Sequence, residues 1–328
     1  MRNNLPNPML LAVGIPTFKR PEFAIRVINK LLDIGIYDQI IVSSNSEENT
    51  LTEHINKIND ERIIFYQQKQ NVGLAMNYFK IIELCNCEYL HVISDEDLPI
   101  ESNLIDLYDL LRKSKSTSLV VTSVNDKNGK LYKDASWQKN NFLQNLLGET
   151  AHIGSNIINI SMINKYEKDL LLNYCQNEGS VYVGPAAVFL AYSVGQNLIY
   201  FGPPIVQMGP LHENREITGS FIYGFRARIF QYVNLCKLYT QVSFKKKYKV
   251  GISILYYFSH HALQDAVKKY SDSPKHELKR YLNENNVDLK TYISLFALFV
   301  SFYYFKLYFY IRIKISKIVK NLILKTRP

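Results

Sequence analysis

The residues with the most chemical content stand together in "HVISDEDLP", residues 91–99, where an apolar run breaks off at Asp95, Glu96 and Asp97. Adjacent carboxylates repel one another and lose solvation if a strand end encloses them, so either water surrounds them or a positive charge sits nearby. In an extended strand end, residues i and i+2 point the same way, which lets Asp95 and Asp97 share a target while Glu96 faces elsewhere. Two hard oxygen donors that near suit Mg²⁺ or Mn²⁺, which takes one or two carboxylates and completes its shell with phosphate oxygens and water. A metal bridging a diphosphate stabilises the charge that develops as the bond to it breaks. The competing reading is helix capping, with Ser94 or Asp97 as N-cap, Pro99 at the first turn and Glu101 near the positive end of the dipole.

The elements around this triplet alternate. "LLAVGI" (10–15), "QIIVSS" (39–44), "RIIFYQ" (62–67), "YLHVIS" (89–94) and "LVVTSV" (119–124) read as strands. Between them lie helical patterns at 21–34, 50–58, 73–85 and 101–112, the first opened by Pro21 and stopped by Gly35. Strands alternating with helices mean βαβ units and a mostly parallel sheet covered on both faces. Ligands bind such sheets beyond the carboxyl ends of the strands. Three unusual stretches share that address: "PTFKRPE" (16–22), "SSNSEEN" (43–49) and "SDEDLP" (94–99). Further on, 125–150 reads as polar loop, 152–163 as a strand turning into a helix, 181–195 as a helix after Pro185, and 198–209 as a short strand ahead of two prolines.

The bulk composition is that of a globular chain, 47% apolar and 21% charged over 328 residues. Its net charge of +10 is not spread evenly, since Lys245 to the end carries seventeen Lys/Arg against five Asp/Glu and the rest is nearly neutral. That asymmetry argues against a general nucleic-acid coat and for a localised anionic partner. Cys85, Cys87, Cys175 and Cys236 match neither a disulfide framework nor zinc spacing and read as reduced, buried residues. No signal peptide is visible, so a cytoplasmic location is expected.

"LAVGIPTFKRPEFAIRVINKLL", "QIIVSSNSEENT", "QNVGLAMNYFKIIEL" and "YLHVISDEDLP" resemble successive blocks of family 2 glycosyltransferases, inverting enzymes of the GT-A fold. The resemblance covers 9 to about 125 and weakens from 126 to 220. It implies that Pro16, Thr17 and Arg20 hold the nucleotide base and diphosphate, and that Asn71 and Gly73 form the turn beneath the base. It places Ser43 where the family has a base-gripping aspartate, with Ser44 or Asn45 as substitutes. It assigns Asp95 and Asp97 to the ends of an Asp-x-Asp motif, with Glu96 counted among the donor-binding residues. It also exposes a departure: the family's acidic pair, which supplies the catalytic base, falls on Val183 and Gly184. Glu178 and Glu213 are the remaining base candidates, His212 a candidate metal ligand and Arg215 a phosphate clamp.

In the basic tail, "TYISLFALFVSFYYFKLYFYIRIKISKIVKNLILK" (291–325), the apolar run Tyr292–Phe305 is fourteen residues long, shorter than a membrane span needs. Ile311, Ile315, Ile318, Val319 and Leu322 share one helical face, while Lys314, Lys317 and Lys320 gather on the other, as in a helix lying in a membrane surface. The expectation is an α/β GT-A domain over 1–220 (donor half 1–125, acceptor half 126–220), followed by a helical, basic, membrane-associating region over 221–328. The resemblance implies a Mn²⁺- or Mg²⁺-dependent enzyme on the inner face of the cell membrane. It would move a sugar from a nucleotide-diphosphate donor, UDP-sugar first, to a lipid-linked or surface-polysaccharide acceptor. The rivals are a sugar-phosphate nucleotidyltransferase and a degenerate nucleotide-sugar-binding scaffold.

Overall fold

The structure is a computed structural model. It describes residues 9–46, 49–114, 116–133, 152–176, 183–195 and 197–209, with 235, 238, 241 and 242. All of these belong to the first of two compact units, Met1–Tyr257.

The first half is laid down as the apolar runs dictate. Strand β1 (Leu11–Thr17) and strand β2 (Gln39–Ser44) are buried at every position, which is why they read as continuous apolar runs. Between them, helix α1 (Pro21–Ile34) opens on Pro21 and buries Ala24, Val27, Ile28, Leu31 and Ile34 along one stripe. Gly35 closes it in the left-handed conformation, its N–H bonded to the Leu31 carbonyl. Helix α2 (Thr50–Ile58), strand β3 (Ile63–Gln67), helix α3 (Gly73–Leu84) and strand β4 (Tyr89–Val92) complete a parallel set in the order β3-β2-β1-β4. Leu11, Val13 and Ile15 share a core with α1. Gly14, in the same strand, has no side chain because Ile81 of α3 fills that space; a Cβ there would lie 2.3 Å from it.

The second half turns the sheet mixed. Among the described residues it has nine strands, and past β4 the order runs β8-β6-β9-β5, with β7 (Leu131–Lys133) beside β6. Strand β8 (Asn156–Asn159) lies antiparallel to both β4 and β6 (Leu119–Asn125), while β9 (Leu198–Gln207) runs parallel to β6 and antiparallel to the short β5 (Leu98–Pro99). Helices α4 (Glu101–Lys113), α5 (Lys165–Cys175) and α6 (Val183–Gly195) complete the layers. The expected α/β architecture is present, with its parallel character confined to the donor half and to β6–β9.

Four local expectations are corrected. The strand at 89–94 ends at Val92; Ser94–Asp97 is a turn closed by the Asp97 N–H on the Ser94 carbonyl at 3.2 Å. Strand β9 does not stop before its prolines but runs through Pro203 and Pro204: the β6–β9 register slips on either side of Ser123, which leaves Gly202 and Pro203 without a partner on β6 while Pro204 lies opposite Ser123. Ile160–Met162 forms a single 3₁₀ turn capped by Asn159 rather than a helix. Helix α6 begins at Val183, before Pro185, which its first turn tolerates. Cys85, Cys87 and Cys175 are buried free thiols. Among the described residues no helix is long and apolar enough to cross a membrane.

Candidate functional site

The parallel registers Thr17↔Ser44 and Gly14↔Val92 bring the ends of β1, β2 and β4 to one edge, so the three loops do open on one crevice. At its centre is the acidic turn. Asp95 is fully buried and Asp97 nearly so. Thr17 Oγ1 donates to Asp95 Oδ2 at 2.6 Å. The Arg20 guanidinium, turned back by a loop in which Lys19 takes a positive φ of 53°, straddles the turn. Its Nη2 lies 2.6 Å from Asp95 Oδ1, and its Nη1 donates to Glu96 at 2.9 Å. Arg26 of α1 donates to the Glu96 carbonyl at 2.9 Å. The first positive charge answering the triplet is therefore Arg20, and it pairs Asp95 with Glu96.

Alternation along a strand therefore does not describe this triplet. Past the turn at Ser94–Asp97, the Asp97 side chain meets the end of β9. Its Oδ1 accepts from the Gly209 N–H at 3.2 Å. Its Oδ2 is buried and, among the described residues, has no hydrogen-bond partner; His152 Nε2 stands 3.6 Å away. Gly209 is obligatory there, since a Cβ would meet the Glu96 carbonyl oxygen at 2.1 Å. Helix capping is not what the carboxylates do, because α4 starts from Ile100 without a side-chain cap and Pro99 lies in β5.

Electrostatics set the two aspartates apart from ordinary surface carboxylates. Burial raises Asp95 to about 6, with Arg20 and then Thr17 pulling it back. Burial raises Asp97 to about 7, the Gly209 N–H only partly opposing it. In both, the hydrogen bonds and nearby cation do not offset the cost of burying the charged form. Among the described residues no group of three or more His, Cys, Asp or Glu side chains is arranged to hold a metal ion. A hard cation that brings phosphate and water to its own shell does not need such a cage, and the orphaned, buried Asp97 Oδ2 is the kind of atom it would take.

Ser43, Ser44, Asn45, Asn71 and Asn77 are polar, neutral side chains at the end of β2, within α3 and in the loops beside them. Ser43 is fully buried and its hydroxyl donates to Asn77 Oδ1 at 2.6 Å, while Asn77 Nδ2 reaches the Ser43 and Thr17 carbonyls. Asn77 of α3 thus laces β1 to β2 beside Ser43. Asn45 donates to Asn71 Oδ1 at 2.6 Å and accepts from the Val72 N–H; Asn71 also accepts from the Gly73 N–H, with Gly73 at φ 79°. Ser44 uses its carbonyl to bind the Gln68 N–H. Pro16 is the penultimate residue of β1. Glu178, His212, Glu213 and Arg215 lie outside the described residues. Val183 and Gly184 are the first residues of α6, both buried. Sequence reasoning missed Asn77, His152 and Gly209; the signals were a polar residue inside an apolar helix, a histidine opening a strand, and a glycine closing one.

The site is thus an acidic turn at the carboxyl end of a half-parallel, half-mixed sheet, with polar side chains beside it. Residues 12–182, just over half of the chain, match the model of glycosyl transferase family 2, and the chain belongs to that family. Solved structures agree at the level of fold. S. aureus TarS 1–349 in complex with UDP-GlcNAc is similar with a TM-score of 0.65 at 11% identity, over 84% of this chain and 79% of that one. The same protein in complex with UDP gives 0.61 at 10% identity, over 84% and 79%. No curated protein matches the chain by sequence.

Proposed function

We propose that the chain transfers a sugar, with inversion, from a UDP-sugar to a lipid-linked or surface-polysaccharide acceptor, using Mn²⁺ or Mg²⁺ at the acidic turn. The buried Asp97 Oδ2, which has no hydrogen-bond partner among the described residues, carries this reading. Asp97 would hold the cation, with Asp95 beside it, and the bound cation would offset charge on the departing diphosphate. Thr17 fixes the orientation of Asp95 through its 2.6 Å bond. Arg20, which pairs with both Asp95 and Glu96, would supply the positive charge for the donor's phosphates at this edge. The base pocket is lined by amides and hydroxyls rather than a carboxylate, so the base is read by neutral groups. The proton of the acceptor hydroxyl falls to Glu178 or Glu213, since Val183 and Gly184 cannot take it. The basic tail beyond Lys245 would hold the enzyme on the inner face of the cell membrane, beside a lipid-linked acceptor.

Calorimetric titration of UDP and UDP-sugars, with Mn²⁺ or with EDTA, tests this for wild type and Asp97→Ala. Metal-dependent binding in the wild type, lost in the variant, is the expected result. Binding kept in the variant would move the cation away from Asp97, and no nucleotide binding at all would overturn the donor site.

A further inference from the structure

The turn that presents His152 is built with more care than a surface loop requires. The His152 carbonyl accepts from Ser155 N at 3.2 Å, Ser155 Oγ at 2.8 Å and Asn156 Nδ2 at 3.0 Å. Gly154 is held through both its N–H and its carbonyl. The Gly154 carbonyl faces His91 Nε2 at 3.0 Å, and the Gly154 N–H donates to His152 Nδ1 at 3.2 Å. His91 is fully buried on β4, its Nδ1 3.0 Å from the Tyr37 hydroxyl. A carbonyl can only accept, so His91 donates through Nε2 and takes the Tyr37 proton contact at Nδ1. Val206 of β9 presses on Gly154 from the other side; a Cβ there would lie 3.0 Å from it.

This clamp fixes the chemistry of the His152 ring. A nitrogen that accepts a hydrogen bond carries no proton, so the ring proton of His152 sits on Nε2. Nε2 points at Asp97 Oδ2, 3.6 Å away, a buried acceptor with no hydrogen-bond partner among the described residues. Ligating a cation through Nε2 would need the other tautomer and would set an Nδ1 proton against the Gly154 N–H. The gap to Asp97 is only a few tenths of an ångström beyond hydrogen-bond range, and a small rotation of the carboxylate closes it.

We propose that His152 is a positioning residue for Asp97: its Nε2–H donates to Oδ2 and orients the carboxylate for the cation, and the ring does not itself ligate the cation. The inference rests on the metal-dependent donor site proposed above. A donor on a liganding carboxylate is a common way of tuning metal affinity, and losing one costs about 10–100-fold.

The test uses the full chain with UDP and Mn²⁺, read by electron paramagnetic resonance. His152→Asn keeps an acceptor for the Gly154 N–H but is too short to reach Asp97; His152→Gln restores a terminal N–H at longer reach. The expected results are a roughly tenfold or greater loss of Mn²⁺ affinity in His152→Asn, partial recovery in His152→Gln, and an unchanged thermal midpoint in His152→Asn. Pulsed measurements on the wild type should show no directly bonded imidazole nitrogen on Mn²⁺. Wild-type affinity in His152→Asn would overturn the proposal. So would a nitrogen coupling that disappears in that variant, which would make His152 a ligand. If the wild type binds no Mn²⁺ with UDP, the donor-site reading itself falls and takes this inference with it.

Discussion

At the scale of single residues, the acidic triplet shows where a sequence argument holds and where local geometry overrules it. That three carboxylates at a strand end need positive charge followed from charge and solvation alone, and Arg20 answers it. The extended strand end that alternation of Asp95 and Asp97 requires is absent, because a turn follows Val92, and Asp97 contacts Gly209 and His152. Both of those lie far along the chain, on elements whose pairing with β4 and β5 no local pattern records. Asp97 is also costly to the empty protein: its charge is buried, with one oxygen lacking a hydrogen-bond partner among the described residues. Asp97→Asn is therefore expected to raise the thermal midpoint in EDTA at pH 8 by a few degrees, since about 1 kcal/mol moves a domain-sized protein by roughly 2–4 °C. The same variant should lose cation-dependent donor binding. A lower midpoint would show that the carboxylate is already compensated.

At the scale of elements, the donor half was legible because its strands are buried on both faces and its helices carry clear apolar stripes. The second half was not, because β8 is four residues long and β9 carries Gly202, Pro203 and Pro204 across a register slip. Strand β4 joins the halves through His91, which contacts Tyr37 on one side and the Gly154 turn on the other. Burial lowers His91 to about 4, below the usual value near 6.5. The unfolded chain therefore binds more protons than the folded one between those values, so this group's contribution to stability falls as pH drops through that window. The loss is on the order of 3 kcal/mol between pH 7 and 4. Asp95 and Asp97, held above their usual values, act in the opposite sense, so the His91 share is isolated by comparison with His91→Leu. Urea midpoints should separate the two proteins widely at pH 7 and converge towards pH 4. A constant separation would remove His91 from the account.

At the scale of the whole chain, the charge is divided in a way that the catalytic half does not use. The first 244 residues, which include all of the described ones, are close to neutral, while the basic excess begins at Lys245. A transferase acting on a soluble acceptor has no need of such a tail; one acting on a lipid-linked acceptor gains from being held at the surface where that acceptor lies. Lys314, Lys317 and Lys320 are spaced to share one helical face opposite Ile311, Ile315, Ile318, Val319 and Leu322. Near an anionic surface each lysine contributes on the order of 1 kcal/mol. Replacing all three by glutamine in the full chain should therefore weaken binding to vesicles containing phosphatidylglycerol by roughly a hundredfold, with little change on neutral phosphatidylcholine vesicles. UDP affinity, set at the other end of the chain, should stay as it is. Sedimentation with vesicles at two ionic strengths decides it: equal binding by both proteins would mean that the lysines face something other than lipid.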